Sequence, residues 1–283
     1  MVRVAKPALA LRSFVRYYVH LEGRLSTPVV MLPVPARTAA GLEFVFGDPF
    51  EAWSGDLASH ETVHAMTVIG AQTYRRVQLA LQGHVENFLI MFQPGGLSRL
   101  FSVPADALTN QHFEAGAVLG RSVERLRSRL GESSSFAERI RAADRYLLRR
   151  PVVRTWHRGV TAAAGLLLRS RGTLRISSMA DSAGLSVRQF ERRFVSEIGV
   201  SPRLYARVAR FEMALESKLR SPGVRWVDIA HDLGYHDQMH MVHDFQELSG
   251  SAPTDVAPRV ELFTAIEIGG AGPRAEAAAL ERR

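Results

Sequence analysis

The chain has 283 residues, 46 % hydrophobic and 23 % charged, which suffices for two ordinary domains with cores of their own and is unlike a low-complexity or coiled-coil composition. It contains no cysteine, which excludes a disulfide framework, a thiolate zinc finger, an iron–sulfur cluster and a cysteine nucleophile, and suits a reducing compartment. Its 36 Lys and Arg against 28 Asp and Glu give a net charge of +8, and only Lys6 and Lys218 are lysines, so the excess is carried by guanidinium groups that pair with phosphates and guanine edges; the balance favours a polyanionic partner.

In chain order, Arg12 and Arg16 interrupt the early apolar stretch Ala8 to Val19, so no secretory signal is expected there. From Val15 to Gly96 short apolar runs alternate with turn residues: Val15 to Leu21, Leu42 to Phe46 before Gly47-Asp48-Pro49, Val63 to Ile69 before Gly70, Val77 to Leu81 before Gly83, and Phe88 to Phe92 before Pro94-Gly95-Gly96. That rhythm predicts an antiparallel β-sandwich or a small cupin-like barrel. Trailing helices follow over 121–130, with Val123, Leu126 and Leu130 on one face, and over 136–150, with Ile140, Ala143 and Leu147 on one face. Pro151 ends the second of these. Beyond Trp156 nearly every segment has helical spacing, with helices expected over 156–171, 176–183, 187–198, 202–220, 225–233, 237–248 and 253–263. The longest small-and-apolar runs, Phe88 to Phe92 and Ala162 to Leu168, fall far short of the roughly 20 residues that cross a bilayer, so a cytoplasmic location without a membrane partner is expected.

The helical half contains an internal repeat. Ala180, Gly184, Phe190, Phe194, Gly199 and Pro202 are mirrored by Ala230, Gly234, Met241, Phe245, Gly250 and Pro253, with one extra residue after Gly234. A small residue lets two helices approach closely and a glycine ends the first helix where φ is often positive, which is the pattern of a helix-turn-helix unit. Ser186 and Asp237 stand where they cap the second helix of each unit. With Phe190 and Phe194 turned inward, Arg188, Gln189, Glu191 and Arg192 face out; with Met241 and Phe245 inward, Gln238, Met239, His240, Val242 and His243 face out. Arg suits guanine, Gln adenine, Glu cytosine and Met a thymine methyl. Between the units Ser201-Pro202 starts a long helix whose stripe Leu204, Val208, Phe211, Leu215 and Leu219 ties both to one rod, with Arg203, Arg207 and Arg210 off the stripe. Recognition helices about 34 Å apart would enter successive major grooves.

The segments Met179-Ala180 to Gly184-Leu185-Ser186, Phe190-Glu-Arg192-Arg-Phe194, Gly199-Val-Ser-Pro202-Arg-Leu-Tyr205, Ile229-Ala230, Gly234-Tyr235-His-Asp237-Gln238, Phe245 and Gly250-Ser-Ala-Pro253 resemble the AraC/XylS family of bacterial transcription regulators. The resemblance spans about 173–258 and implies two helix-turn-helix units, about 173–199 and 225–250, joined by a linker helix over 202–220. Carried over by position, the family's base-reading sites fall on Arg188, Glu191, Arg192, Gln238, Met239, His240 and His243. Many members have Arg where this chain has His243, and Asp244 follows here, so the second helix is expected to be less cationic. Phe92-Gln-Pro94-Gly95-Gly96 with Phe101 and Pro104 looks like a poorly characterised group of β-rich regulatory domains that precede this DNA-binding half, which implies effector or partner binding, with the ligand unspecified.

The expectation is thus an α+β two-domain protein: a β-rich sensor domain over 1–151, a DNA-binding domain over 152–268 and a disordered tail over 269–283. It is expected to bind duplex DNA as an activator or repressor without catalysis, cofactor or metal, with an effector or protein partner for the first domain and RNA polymerase and a second copy of the chain as further candidate partners. The alternative is a metal-binding or enzymatic β-barrel carrying a DNA-targeting helical module. It rests on His60-Glu61-Thr62-Val63-His64, which matches H-E-x-x-H, with His84 and His112 as further ligand candidates; the β-like surroundings oppose the helical geometry that a zinc site needs. His231, His236, His240 and His243 are spread over two expected helices and suit a polar DNA-facing surface better than a metal cluster. Trp53, Tyr74 and Phe92 are read as core rather than as a ligand pocket.

Overall fold

Alternation along the strands decides the architecture of the N-terminal half. The computed structural model describes residues 1–25, 27–54, 59–73, 77–152, 156–170 and 174–257. The strands are β1 (Val2–Ala5), β2 (Val15–Arg24), β3 (Val30–Val34), β4 (Gly41–Val45), β5 (Glu51–Ser54), β6 (Ser59–Thr62), β7 (Met66–Ile69), β8 (Val77–Leu81), β9 (His84–Phe92) and β10 (His112–Glu114). They pair antiparallel into a six-stranded sheet ordered β1-β2-β9-β4-β7-β10 and a four-stranded sheet ordered β3-β8-β5-β6. On β9 the side chains of Phe88, Ile90 and Phe92 enter one core, while Val85, Asn87, Leu89 and Met91 line a cavity on the other face, as the two-residue strand period requires. A bulge between Val15 and Tyr17 switches β2, so that Val15 and Tyr18 share the first core and Tyr17 and Val19 the cavity.

The arrangement is therefore an open two-sheet sandwich. Among the described residues no pairing of the named strands joins the two sheets, so the barrel alternative is not formed: the sheets meet through side chains across the cavity, and one isolated backbone bridge, Arg37 with Gln72, ties the connections that run between them. The run Val63 to Ile69 divides, with β7 beginning only at Met66 and Val63 in the connection, its N–H bonded to Phe50 O at 2.9 Å. Strand β6 is exposed at every residue, which is why it left no apolar run to read.

Helices α1 (Gly96–Phe101), α2 (Ala115–Leu119), α3 (Ser122–Gly131) and α4 (Phe136–Leu148) cover the outer face of the larger sheet. Gly96 is required at the start of α1, because a Cβ there would stand 2.0 Å from Phe14 O. Helix α3 buries Val123, Leu126 and Leu130 as expected, and α4 buries Ala143 and Leu147. Ile140 is only half-buried, and Arg139 is buried in its place. The Arg139 guanidinium bonds Glu86 Oε1 at 2.6 Å, His20 Nε2 at 2.7 Å and Leu130 O at 3.1 Å. Burial, then the Arg139 charge, hold the His20 pKa below its usual value, so its neutral ring can accept from Arg139.

The C-terminal half is helical: α5 (Arg158–Arg169), α6 (Ile176–Ser182), α7 (Val187–Ile198), α8 (Pro202–Arg220), α9 (Trp226–Asp232) and α10 (Gln238–Ser249). Residues 253–257 are helical as well; the rest of the helix expected over 253–263, and the tail from 269, lie outside the described residues. One apolar cluster joins α5, α6 and α7 to Tyr205 and Ala206 of α8, and a second joins α9 and α10 to Val208, Phe211, Ala214 and Leu215 of the same helix.

Removing Arg139 leaves the Glu86 charge largely enclosed without its partner, so Arg139→Ala is expected to lower unfolding free energy by about 3–5 kcal/mol. Urea unfolding of wild type and variant checks this; a change below about 1 kcal/mol would mean that the network adds little to stability.

Candidate nucleic-acid interface and effector cavity

The two repeat units close with the same hydrogen bonds. In the first, Gly184 has φ +66° and Leu185 N–H reaches back to Ala180 O at 3.0 Å, with Gly184 N–H on Asp181 O at 2.9 Å. In the second, Gly234 has φ +69°, Tyr235 N–H bonds Ala230 O at 3.0 Å and Gly234 N–H bonds His231 O at 3.0 Å. This 6→1 bond with an inner 5→2 partner satisfies carbonyls that the helix end leaves free, and it needs a left-handed residue at the glycine. Ala180 and Ala230 are buried in both units.

Each recognition helix is then started by a side chain. Ser186 accepts from Gln189 N–H while Gln189 Oε1 receives the Ser186 N–H at 3.1 Å, a full capping box. Asp237 accepts from His240 N–H at 2.7 Å. His236 is the extra residue of the second turn, and its Nδ1 lies 3.1 Å from Asp237 Oδ2. Phe190, Phe194, Met241 and Phe245 are fully buried, which fixes the rotation of both helices.

With that rotation Arg188, Gln189, Glu191 and Arg192 are exposed on α7, and Gln238, Met239, His240 and His243 on α10. Met239 is 71 % exposed. Three details differ from the expected outward set. Gln189 spends its carbonyl on the capping box, so only its NH₂ is free for a base. Val242 is half-buried. Asp244 is buried, its Oδ1 paired with Arg207 Nε at 2.5 Å, so its charge is turned into the domain and does not make the exposed face of α10 less cationic. Arg207 also pairs with Glu247, and Arg210 lies over the Tyr235 ring at 5.2 Å.

The N-terminal half seats on the far ends of both recognition helices. Ala105 N–H bonds Ser196 O at 3.1 Å and Thr109 Oγ1–H bonds Gly199 O at 2.7 Å, at the end of α7. Ala36 N–H bonds Leu248 O at 3.2 Å, at the end of α10. Between them Thr38 Oγ1–H donates to Glu212 Oε2 of α8 at 2.6 Å. Desolvation holds the Glu212 pKa above the usual carboxylate range, opposed by the Thr38 bond and by the Arg16 and Arg37 guanidiniums.

Arg37 also lines the cavity between the sheets, which has a volume of about 360 Å³ and is walled mainly by aliphatic side chains such as Val19, Leu21, Leu32, Leu79 and Leu89. Tyr17, Glu43, Thr67, Gln72, Asn87 and His112 add polar groups to its lining. Asn87 Nδ2 donates to Glu43 Oε1 at 2.8 Å, while Arg37 Nε, Gln72 Oε1 and Asn87 Oδ1 are buried without a hydrogen-bond partner. Buried polar atoms are seldom left so in the absence of a ligand or water. Sequence reasoning missed these residues because Arg37 and Gln72 stand in connections, where they form an isolated bridge, and a single Asn on β9 carries no spacing signal.

The H-E-x-x-H motif is drawn into other contacts. His60 and Glu61 lie in strand β6; the His60 ring stacks on Trp53 at 4.3 Å and Glu61 Oε1 meets His112 Nε2 at 2.6 Å. Among the described residues no group of three or more His, Cys, Asp or Glu could hold a metal ion. Phe92 is core, Trp53 is half-buried on the outer side of the smaller sheet, and Tyr74 lies outside the described residues. Among the described residues no helix is long and apolar enough to cross a membrane.

A carboxyl group whose pKa is raised on folding binds more protons in the folded state, so stability falls as pH rises from the ordinary carboxylate value through the raised one. Glu212→Gln keeps an acceptor for Thr38 and removes that titration. The stability lost between pH 5 and pH 7, measured by urea unfolding, is expected to be smaller in the variant; an identical loss would show that Glu212 does not titrate in this window.

Comparisons with known proteins agree with these two halves. The family described as Helix-turn-helix domain matches residues 179–259, and the family described as Domain of unknown function (DUF6597) matches residues 3–114. No curated protein matches the chain. Among solved structures, ToxT from Vibrio cholerae O395 is similar at 10 % identity over 89 % of this chain and 99 % of that one, with a TM-score of 0.48. The C-terminal domain of AraT, a response regulator from Geobacillus stearothermophilus, is similar at 24 % identity over 37 % of this chain and 87 % of that one, TM-score 0.34. The AraC-like transcriptional activator CuxR is similar at 15 % identity over 75 % and 86 %, TM-score 0.29. With its paired, identically closed units, the chain carries a helix-turn-helix domain of the AraC type over 179–259, behind a DUF6597 domain over 3–114.

Proposed function

We propose that residues 152–268 read duplex DNA through α7 and α10 in successive major grooves, and that residues 1–151 control this as a ligand-responsive domain. The observation that carries the reading is the outward set on two identically closed helices bound to one rod: Arg188, Glu191 and Arg192 on the first, Gln238, Met239, His240 and His243 on the second, with Gln189 contributing through its NH₂ alone while its capping box is closed. The chain catalyses nothing in this reading and works in the cytoplasm.

Control runs from the cavity to the rod. An effector with an apolar body, a donor for Gln72 and Asn87 and an acceptor for Arg37 fits the unpartnered atoms there. Arg37 is one of the two guanidiniums that favour the Glu212 charge on α8, so drawing it toward a ligand alters the contact that ties the linker helix to the first domain. A ligand acts only through its differential affinity for two such arrangements.

The test is selection of the full chain against a randomised duplex pool at one stated salt concentration. Two motifs about one helical turn apart and an affinity ratio over scrambled DNA above roughly 10³ are expected; a ratio near one with and without candidate effectors would overturn the reading. On the selected site Arg188→Ala or Arg192→Ala is expected to cost about 1–3 kcal/mol, with far less effect on random DNA. A uniform loss would make them phosphate contacts. His243→Arg is expected to strengthen binding and steepen its salt dependence, since it adds a cation on the exposed face of α10; unchanged binding would place that helix off the duplex.

A further inference from the structure

A second cleft, of about 690 Å³, opens where the two halves meet. Its walls among the described residues are Arg99 of α1, Val152 and Trp156 ahead of α5, and Arg158, Thr161, Ala162, Gly165 and Arg169 of α5. The α5 positions 158, 161, 162, 165 and 169 fall on one face by helical spacing. That face is turned away from Val160, Ala163, Ala164 and Leu167, which α5 buries against the first helix-turn-helix unit.

Three guanidiniums share this cleft, and the described residues offer them little compensating charge. Arg158 and Arg169 are exposed and form no ion pair among the described residues. Arg99 is held over the Phe14 ring at 4.5 Å. Burial, then the Arg158 charge, keep its pKa below the usual arginine value, with Glu197 the one carboxylate that favours its charge. Glu197 is committed elsewhere: His157 N–H lies 3.1 Å from each of its oxygens and Arg193 lies 3.9 Å away. The floor is low, because Ala162 and Gly165 carry almost no side chain. Arg169 folds back along the helix over Gly165, where a Cβ would stand 3.4 Å from its Nη1. Trp156 supplies an aromatic wall.

We propose that this cleft binds a small phosphate-bearing organic anion, with Arg99 and Arg158 on the phosphate end, the body of the molecule over Ala162 and Gly165, and Arg169 on a second polar group. Guanidinium forks suit phosphate oxygens bidentately, and the volume is that of a small-molecule pocket, well beyond a single inorganic ion. A bound anion would neutralise the repulsion between Arg99 and Arg158 and so join α1 of the first domain to α5 of the second. The site is separate from the inter-sheet cavity and does not depend on which operator is read.

Pyrophosphate serves as the probe, titrated calorimetrically into the full chain, with sodium chloride at matched ionic strength as the control. Saturable binding is expected, weakened at least tenfold in Arg158→Ala/Arg169→Ala and in Arg99→Ala, and unchanged in Arg188→Ala, whose side chain lies on α7. Because Arg158 and Arg169 are exposed, the double variant is expected to keep the wild-type unfolding temperature without ligand, which separates lost binding from lost folding. No saturable binding in wild type, or equal binding in the double variant, overturns the proposal. So does a double variant that binds pyrophosphate as wild type does but shows weaker, less salt-dependent affinity for random duplex, which would make the arginines contacts to the DNA backbone.

Discussion

Helix α8 carries the contacts on which both halves of the molecule depend. Its nineteen residues, Pro202–Arg220, span about 28 Å at the helical rise, and its buried faces enter two apolar clusters at once, Tyr205 and Ala206 with the first unit and Val208, Phe211, Ala214 and Leu215 with the second. Arg207 adds ion pairs to Asp244 and Glu247 on α10, and Glu212 accepts from Thr38 of the sandwich. A close-packed interior deforms little. The two recognition helices therefore move relative to one another only if one of these contact sets is exchanged for another.

The first domain is attached through groups that the helices leave unsatisfied. The last carbonyls of an α-helix lack intrahelical partners, and those of α7 and α10 receive Ala105 N–H, Thr109 Oγ1–H and Ala36 N–H from the sandwich. The exposed starts of the same helices carry the base-reading candidates. The first domain thus touches each of these helices at the end opposite its exposed start. This arrangement explains why Gly199 tolerates no side chain, since a Cβ there would stand 2.5 Å from Thr109 Oγ1.

Charges inside the protein are placed where they specify geometry. Arg139 with Glu86 and His20 orients α4 on the sheet, and Arg37 stands between the inter-sheet cavity and Glu212. Pairs of this kind add little net stability over apolar packing but penalise any arrangement that separates them. Of these charges Arg37 and Glu212 lie at the junction, where their attraction favours discrete arrangements over a continuum, which is what a regulator needs if a ligand is to bias one of them.

The helical half was legible in the sequence almost residue by residue because its constraints are local. Ser186, Ser201 and Asp237 cap the helices they precede, Gly184 and Gly234 take the left-handed turn, and Phe190, Phe194, Met241 and Phe245 set the inward face; each acts within one helical turn of its own position. Half of the β-structure was legible for the same reason, in the apolar runs that became β2, β4, β7, β8 and β9. Strands such as β6 and β10 were not, since a three- or four-residue edge strand without an apolar run is defined by its neighbour, not by its own pattern. The sequence by itself determined the repeat, its turns and the outward faces of its helices. Only the tertiary structure decided that Asp244 turns inward to Arg207, that Arg37 and Asn87 meet in one cavity, and that Arg99 faces Arg158 across the junction, because those encounters join residues 37 or more positions apart that no local period relates.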